Sequence, residues 1–166
     1  MITEDAFQVA YDGGARIITN SWGTAPPFNY YGGQSVDIDD FVYTHDDVLV
    51  LVAAGNEGQE PSYYDDDYLR SASGGDASIG SPAVSKNVLT VGAAETGKAS
   101  PSTVAYFSSR GPTRDMRLKP EVCGPGMVVY AAEASGFAGK ATCSVTRKAG
   151  TSMATPAVAG VAAMIR

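Results

Sequence analysis

The sequence predicts an α/β domain built on a largely parallel, twisted sheet with flanking helices. Three observations carry that expectation. Short runs rich in β-branched residues and Leu, namely Arg16-Ile17-Ile18-Thr19, Val48-Leu49-Val50-Leu51-Val52-Ala53 and Val88-Leu89-Thr90-Val91, recur along the chain, the first two separated by helical patterns. The longest contains no polar residue, which fits a parallel strand buried on both faces. Ser152 to Ile165 is rich in Ala, Val and Met and apolar all round, which reads as a buried helix.

In order, Thr3 to Tyr11 carries Ala6, Phe7, Val9, Ala10 and Tyr11 at helical spacing, and Gly13-Gly14 supply a stop. The strand Arg16–Thr19 ends at Asn20-Ser21-Trp22-Gly23, and a Pro/Gly/Tyr-rich loop runs to Gly33. Ser35 is placed to cap a second helix over Val36–Thr44. The strand Val48–Ala53 stops at Ala54-Gly55-Asn56-Glu57-Gly58. A long irregular loop at about 57–86 contains Asp65-Asp66-Asp67, and loops of that length are usually functional or mobile. The strand Val88–Val91 follows, then a turn at Phe107–Pro112. An antiparallel hairpin, Met127–Ala132 and Ala141–Thr146 around a turn at Ser135–Lys140, precedes the last helix. Thr151 is placed to cap that helix through its hydroxyl, with Pro156 in or near the first turn.

The whole chain narrows the function classes. Its 166 residues are one domain's worth or part of a larger one. Gly is 19 of 166, above the usual ~7%, so tight turns and close backbone approaches are expected. The net charge of −6 and the lack of a basic stripe argue against nucleic acid. The apolar run Val48–Ala54 is far too short to span a membrane. Met1-Ile2-Thr3-Glu4-Asp5 lacks the basic start of a signal peptide. Cys123 and Cys143 can pair or stay free, and no zinc-ligand spacing is present.

Ser152 is where chemistry concentrates. A serine at a helix N-terminus has an unpaired main-chain N–H and a dipole that favours negative charge, which suits an acyl-transfer nucleophile. Asn56, just past a buried strand on a Gly-permissive turn, can offer its amide as an oxyanion donor; a plain turn asparagine is the commoner fate. A serine nucleophile also needs a base. The single histidine, His45, precedes the Val48–Ala53 strand while Asn56 follows it. Six residues of strand separate them by about 20 Å, so His45 is rejected as the base. Asp65-Asp66-Asp67 and Asp37/Asp39/Asp40 can bind a hard cation, although acidic loop residues more often face water.

Together these pieces resemble the subtilisin-like serine peptidases, the subtilases, over nearly the whole chain. Gly150-Thr151-Ser152-Met153-Ala154-Thr155-Pro156 is similar to the family's nucleophile motif, and Ala53-Ala54-Gly55-Asn56-Glu57-Gly58 to its oxyanion-asparagine motif. Ser21-Trp22-Gly23 resembles the segment that pairs with the substrate backbone. Ser81-Pro82-Ala83 with Val88–Ala93, Phe107–Pro112 and Lys119–Gly126 are further blocks in the family's order.

The resemblance implies roles. Ser152 is the nucleophile, with Asn56 and the Ser152 N–H as oxyanion donors. Ser21, Trp22, Gly23, Ala53, Ala54 and Gly55 line the substrate cleft, and the Ser81–Pro82 peptide is cis. No cofactor takes part in catalysis, and a structural calcium ion is admitted. The family's catalytic Asp and His come earlier in its order, and neither motif is present, so residues 1–166 correspond to the C-terminal part of a catalytic domain. The implied parent is a serine endopeptidase acting on peptides or proteins, secreted or luminal by family habit. The chain alone is expected to be inactive. It is also expected to dimerise or aggregate through the sheet edge at Arg16–Thr19, where the missing part of the domain belongs. The alternative is a non-catalytic subtilase-like binding or scaffold domain. An α/β-hydrolase esterase does not fit, since the motif is Gly-Thr-Ser-Met-Ala and no His follows Ser152.

Overall fold

The computed structural model describes residues 4–24, 29–59, 76–96, 103–133 and 144–166. The elements in order are α1 (Glu4–Asp12), β1 (Ile17–Asn20), α2 (Gly33–Thr44), β2 (Leu49–Ala53), β3 (Leu89–Ala94), β4 (Val122–Pro125), β5 (Val129–Ala132), β6 (Val145–Lys148) and α3 (Thr151–Ile165). The first four strands form one parallel sheet in the order β1-β2-β3-β4. The predicted α/β class with a parallel sheet and flanking helices is therefore what the chain adopts. The hairpin is also present, as the antiparallel pair β5–β6. Its second strand is later than predicted, with Ala132 opposite Val145 and Val129 opposite Lys148. The predicted turn at 135–140, Cys143 and Asp65–Asp67 lie outside the described residues.

Alternation along the central strands builds two cores. Val50 and Val52 face a cluster with Phe7, Ile38, Phe41, Ile79 and Val84, under α1 and α2. Leu51 faces the other way, into a cluster with Val91, Ala93, Ala154 and Ala159, under α3. All five core strand residues named here are buried, as a parallel strand covered on both faces requires.

Four expectations change. First, α3 is not buried all round. Thr151, Ala154, Thr155 and Ala159 form the buried stripe, whereas Met164 and Ile165 are about four-fifths exposed, because only one face of the helix rests on the sheet. Second, α2 starts at Gly33 rather than Val36, with Gly32 as its N-cap. Ser35 lies inside it, fully buried, and its hydroxyl bonds the Ser81 hydroxyl (2.9 Å) instead of capping. Third, β4 has no hydrophobic alternation to announce it. Its Gly124 is there for clearance: a Cβ would sit 2.7 Å from Val158 Cγ2 and 2.9 Å from the Ala154 carbonyl oxygen of α3. Pro125 is tolerated because β4 is an edge strand. Fourth, Asp37, Asp39 and Asp40 do not fit a cation. Asp39 is buried and its carboxylate accepts the Tyr31 hydroxyl (2.6 Å) and the N–H groups of Lys86 (2.9 Å) and Asn87 (2.7 Å), whereas Asp37 and Asp40 are exposed. Among the described residues no three His, Cys, Asp or Glu converge.

The Tyr31–Asp39 bond makes a pH prediction. Burial, and then the hydrogen bond to Asp39, push the Tyr31 hydroxyl from its ordinary 10 up to about 12. The folded state thus holds a proton that the unfolded chain gives up first. The corresponding stability is complete below pH 10 and is lost as pH rises toward 12. Denaturant unfolding across that window is expected to show a steeper alkaline loss in the native chain than in Tyr31→Phe. Identical slopes would exclude this account.

Candidate functional site

The site is assembled by strand register. Asn20 at the end of β1 lies beside Val52 near the end of β2, so both strands deliver their following residues to the same sheet edge. In open α/β sheets that carboxyl edge is where ligands sit. Gly55 takes φ +109°, a left-handed conformation open to glycine, and turns the chain so that Asn56 leaves the sheet.

The start of α3 meets this turn. Gly150, with φ +151°, is the N-cap, and its N–H donates to the Gly126 carbonyl (2.8 Å). Thr151 is the first residue of the helix and does not cap it. Instead its hydroxyl donates to Asn56 Oδ1 (3.2 Å) and accepts from the Gly55 N–H (3.3 Å). The Thr151 main-chain N–H also donates to Asn56 Oδ1 (2.9 Å). The reason is geometric. Asn56 Oδ1 takes the N–H of the first helical residue, one of the orphan donors of the first turn, and the Thr151 hydroxyl is drawn to the same oxygen instead of to the helix. Two donors on Oδ1 fix the amide's orientation and leave Nδ2 as its outward end.

The Asn56 turn is clamped from its other side. The Ser109 N–H donates to the Gly55 carbonyl (3.0 Å), and the Gly58 N–H to the Phe107 carbonyl (2.8 Å). Ser109 Oγ accepts from the Glu57 N–H (3.0 Å) and donates to Glu57 Oε2 (3.0 Å). The Phe107–Pro112 turn is thus a cradle for Asn56. The segment that follows β1 is tied down through the Thr24 N–H, which donates to the Ser81 carbonyl (2.8 Å) beside the cis Ser81–Pro82 bond. Two further X-Pro bonds, Gly111–Pro112 and Lys119–Pro120, are also cis.

A cavity of about 120 Å³ opens where these parts meet. All eight residues singled out from sequence border it: Ser21, Trp22, Gly23, Ala53, Ala54, Gly55, Asn56 and Ser152. Thr24, Glu57, Gly80 and Thr151, to which the sequence reading gave no place in the site, also line it. The Glu57 signal was available, since that residue directly follows Asn56 and places a carboxylate in the wall. Ser152 is the second residue of α3, so its N–H has no intrahelical acceptor. Its hydroxyl donates to the Ser21 carbonyl (3.3 Å). His45 is elsewhere. It is the C-cap of α2, at the opposite end of β2, stacked on Phe41 with ring centroids 4.3 Å apart and bonded through Nδ1 to the Phe41 carbonyl (2.8 Å).

The chain can now be set beside known proteins. The sequence profile described as the Subtilase family matches residues 1–166. Serine protease AprX of Bacillus subtilis is 34% identical over 128 residues, covering 71% of this chain and 26% of AprX. Pyrolysin of Pyrococcus furiosus is 32% identical over 180 residues, covering 92% of this chain and 11% of pyrolysin. Among solved structures, Sphericase superposes with a TM-score of 0.65 at 28% identity, covering 98% of this chain and 46% of Sphericase. The chain thus spans about a quarter or less of these two sequence relatives and under half of that structure.

Proposed function

This chain belongs to the subtilase family of serine proteases, and from that premise we propose that it carries the nucleophile half of a serine endopeptidase site. The observation that supports the reading best is that one cavity is bordered by Ser152, by Asn56 and by both cleft segments. Ser152 Oγ attacks the peptide carbonyl and its proton passes to a base. Charge on the carbonyl oxygen is met by Asn56 Nδ2 and the Ser152 N–H, at the positive end of the α3 dipole. The amine leaves with a proton, the acyl group stays on Ser152, and water releases it. Ser21-Trp22-Gly23 and Ala53-Ala54-Gly55 hold the peptide. The base and its carboxylate partner come from outside these 166 residues, because the one histidine sits at the far end of β2.

The test is intact-mass analysis after a fluorophosphonate probe, with and without imidazole as a substitute base. The expected result is an adduct that forms only with imidazole and is abolished by Ser152→Ala. An adduct that survives Ser152→Ala overturns the nucleophile assignment. A folded chain that imidazole never activates supports the binding or scaffold reading instead.

The same proposal covers partners. Among the described residues β1 is an outer strand of the sheet, and the exposed Val161 and Ile165 of α3 line an apolar groove with Ile17, Leu49 and Leu89. An unpaired, partly apolar edge is a template for another strand. Self-association that grows with concentration is the expected result in light scattering; a monomer across the accessible range would remove it.

A further inference from the structure

The Ser152 main chain has an unusual problem. In a regular helix its carbonyl would accept the N–H of the residue four places on, and that residue is Pro156. Proline has no N–H, and its ring presses against the same carbonyl. This carbonyl lies in an exposed part of the site, so what the missing helical donor removes is chiefly the constraint on its peptide, which is freer to tilt.

The structure supplies a substitute donor from 131 residues away. Ser21 Oγ donates to the Ser152 carbonyl oxygen at 3.1 Å. In return Ser152 Oγ donates to the Ser21 carbonyl oxygen at 3.3 Å. The two serines are therefore joined by a reciprocal pair of bonds, each hydroxyl to the other's main chain. Thr155 Oγ1 bonds the neighbouring Thr151 carbonyl (2.9 Å), so the first-turn carbonyl on the other side is also held.

We infer that the Ser21 hydroxyl is a positioning residue for Ser152. It satisfies the carbonyl that Pro156 deprives of its helical donor, and so fixes the turn from which the Ser152 side chain projects. Ser21 opens the cleft segment Ser21-Trp22-Gly23, so the same bond ties the cleft wall to the start of α3. A hydroxyl, rather than any small side chain, is what position 21 requires. The term positioning rests on Ser152 being the nucleophile; the hydrogen bond does not.

Ser152-Met153 is the one Ser–Met dipeptide in the chain. Labelling serine carbonyls with carbon-13 and methionine amides with nitrogen-15 therefore gives a single correlation, which reads the Ser152 carbonyl alone. Ser21→Ala is expected to move that carbon to lower frequency, the sign of a lost hydrogen bond, and Ser21→Thr to restore it. Pro156→Ala supplies a new N–H four residues on, so in that background Ser21→Ala is expected to give a much smaller shift. The double variant also keeps the experiment readable if Ser21→Ala alone does not fold. A carbon that stays put in Ser21→Ala overturns the inference, as does one that moves equally in both backgrounds. Failure of probe labelling with these shifts intact would instead count against the nucleophile reading alone.

Discussion

Assayed without an added base, the 166-residue chain is expected to turn over a peptide about 10⁶-fold more slowly than an intact subtilase, the scale of loss that removing the base causes in subtilisin itself. A serine hydroxyl is a weak nucleophile until a neighbour takes its proton. In this chain the Ser152 hydroxyl proton points instead at the Ser21 carbonyl, which cannot act as a general base. His45 is committed to the C-terminal end of α2, packed between Phe41 and Tyr11 with both ring centroids 4.3 Å away. On the proposed reading the oxyanion donors remain, so some rate above that of water is expected, but it should not depend on the hydroxyl as a full site does. Ser152→Ala should therefore change turnover little in the chain alone. Turnover comparable with an intact subtilase, lost in Ser152→Ala, would mean that a base reaches Ser152 from a source the fold does not reveal.

Gly58→Ala should be among the most destabilising single changes near the site. An added Cβ would lie 2.3 Å from the Ser108 carbonyl oxygen, 2.8 Å from its carbon and 2.9 Å from the Phe107 carbonyl carbon. All three are main-chain atoms, so no side-chain rotation relieves the clash, and the two segments must separate. Overpacking of this kind costs about 2–3 kcal/mol. The separation would also stretch the bond from the Gly58 N–H to the Phe107 carbonyl and loosen the turn that holds Asn56 under Thr151. Gly160→Ala is the control. Its Cβ meets nothing within 4 Å, and it lies inside α3. Removing that glycine should add about 0.5–1 kcal/mol. Denaturant midpoints that fall for position 58 and rise for position 160 are expected; a neutral Gly58→Ala would show that the cradle has slack.

Much of this fold was legible because its signals are local. Val48–Ala53 carries no polar residue, and only a strand covered on both faces tolerates that. Gly13-Gly14 end α1 as expected, with Gly14 at φ +95°. The misreadings share one cause, packing against residues far away in sequence. Ser35 looked like a cap and is a core hydroxyl facing Ser81. Gly124 and Pro125 carry no local strand signal and belong to an edge strand shaped for the approach of α3. The α3 sequence looked buried on all sides, yet an apolar helix is wetted wherever the sheet beneath it ends.

The sequence by itself determined most of the segments that become strands and helices and which chemical groups stand at their ends. A strand's alternation, a glycine's backbone freedom and a serine at a helix start are properties of a few consecutive residues. Only the tertiary structure decided which of those groups share a cavity. The bond from Thr151 to Asn56 spans 95 residues and the pair joining Ser21 to Ser152 spans 131. Contacts of that range follow from the register of β1 on β2 and the seating of α3 across the sheet. Those are set by the packing of whole surfaces, which no short stretch of chain encodes.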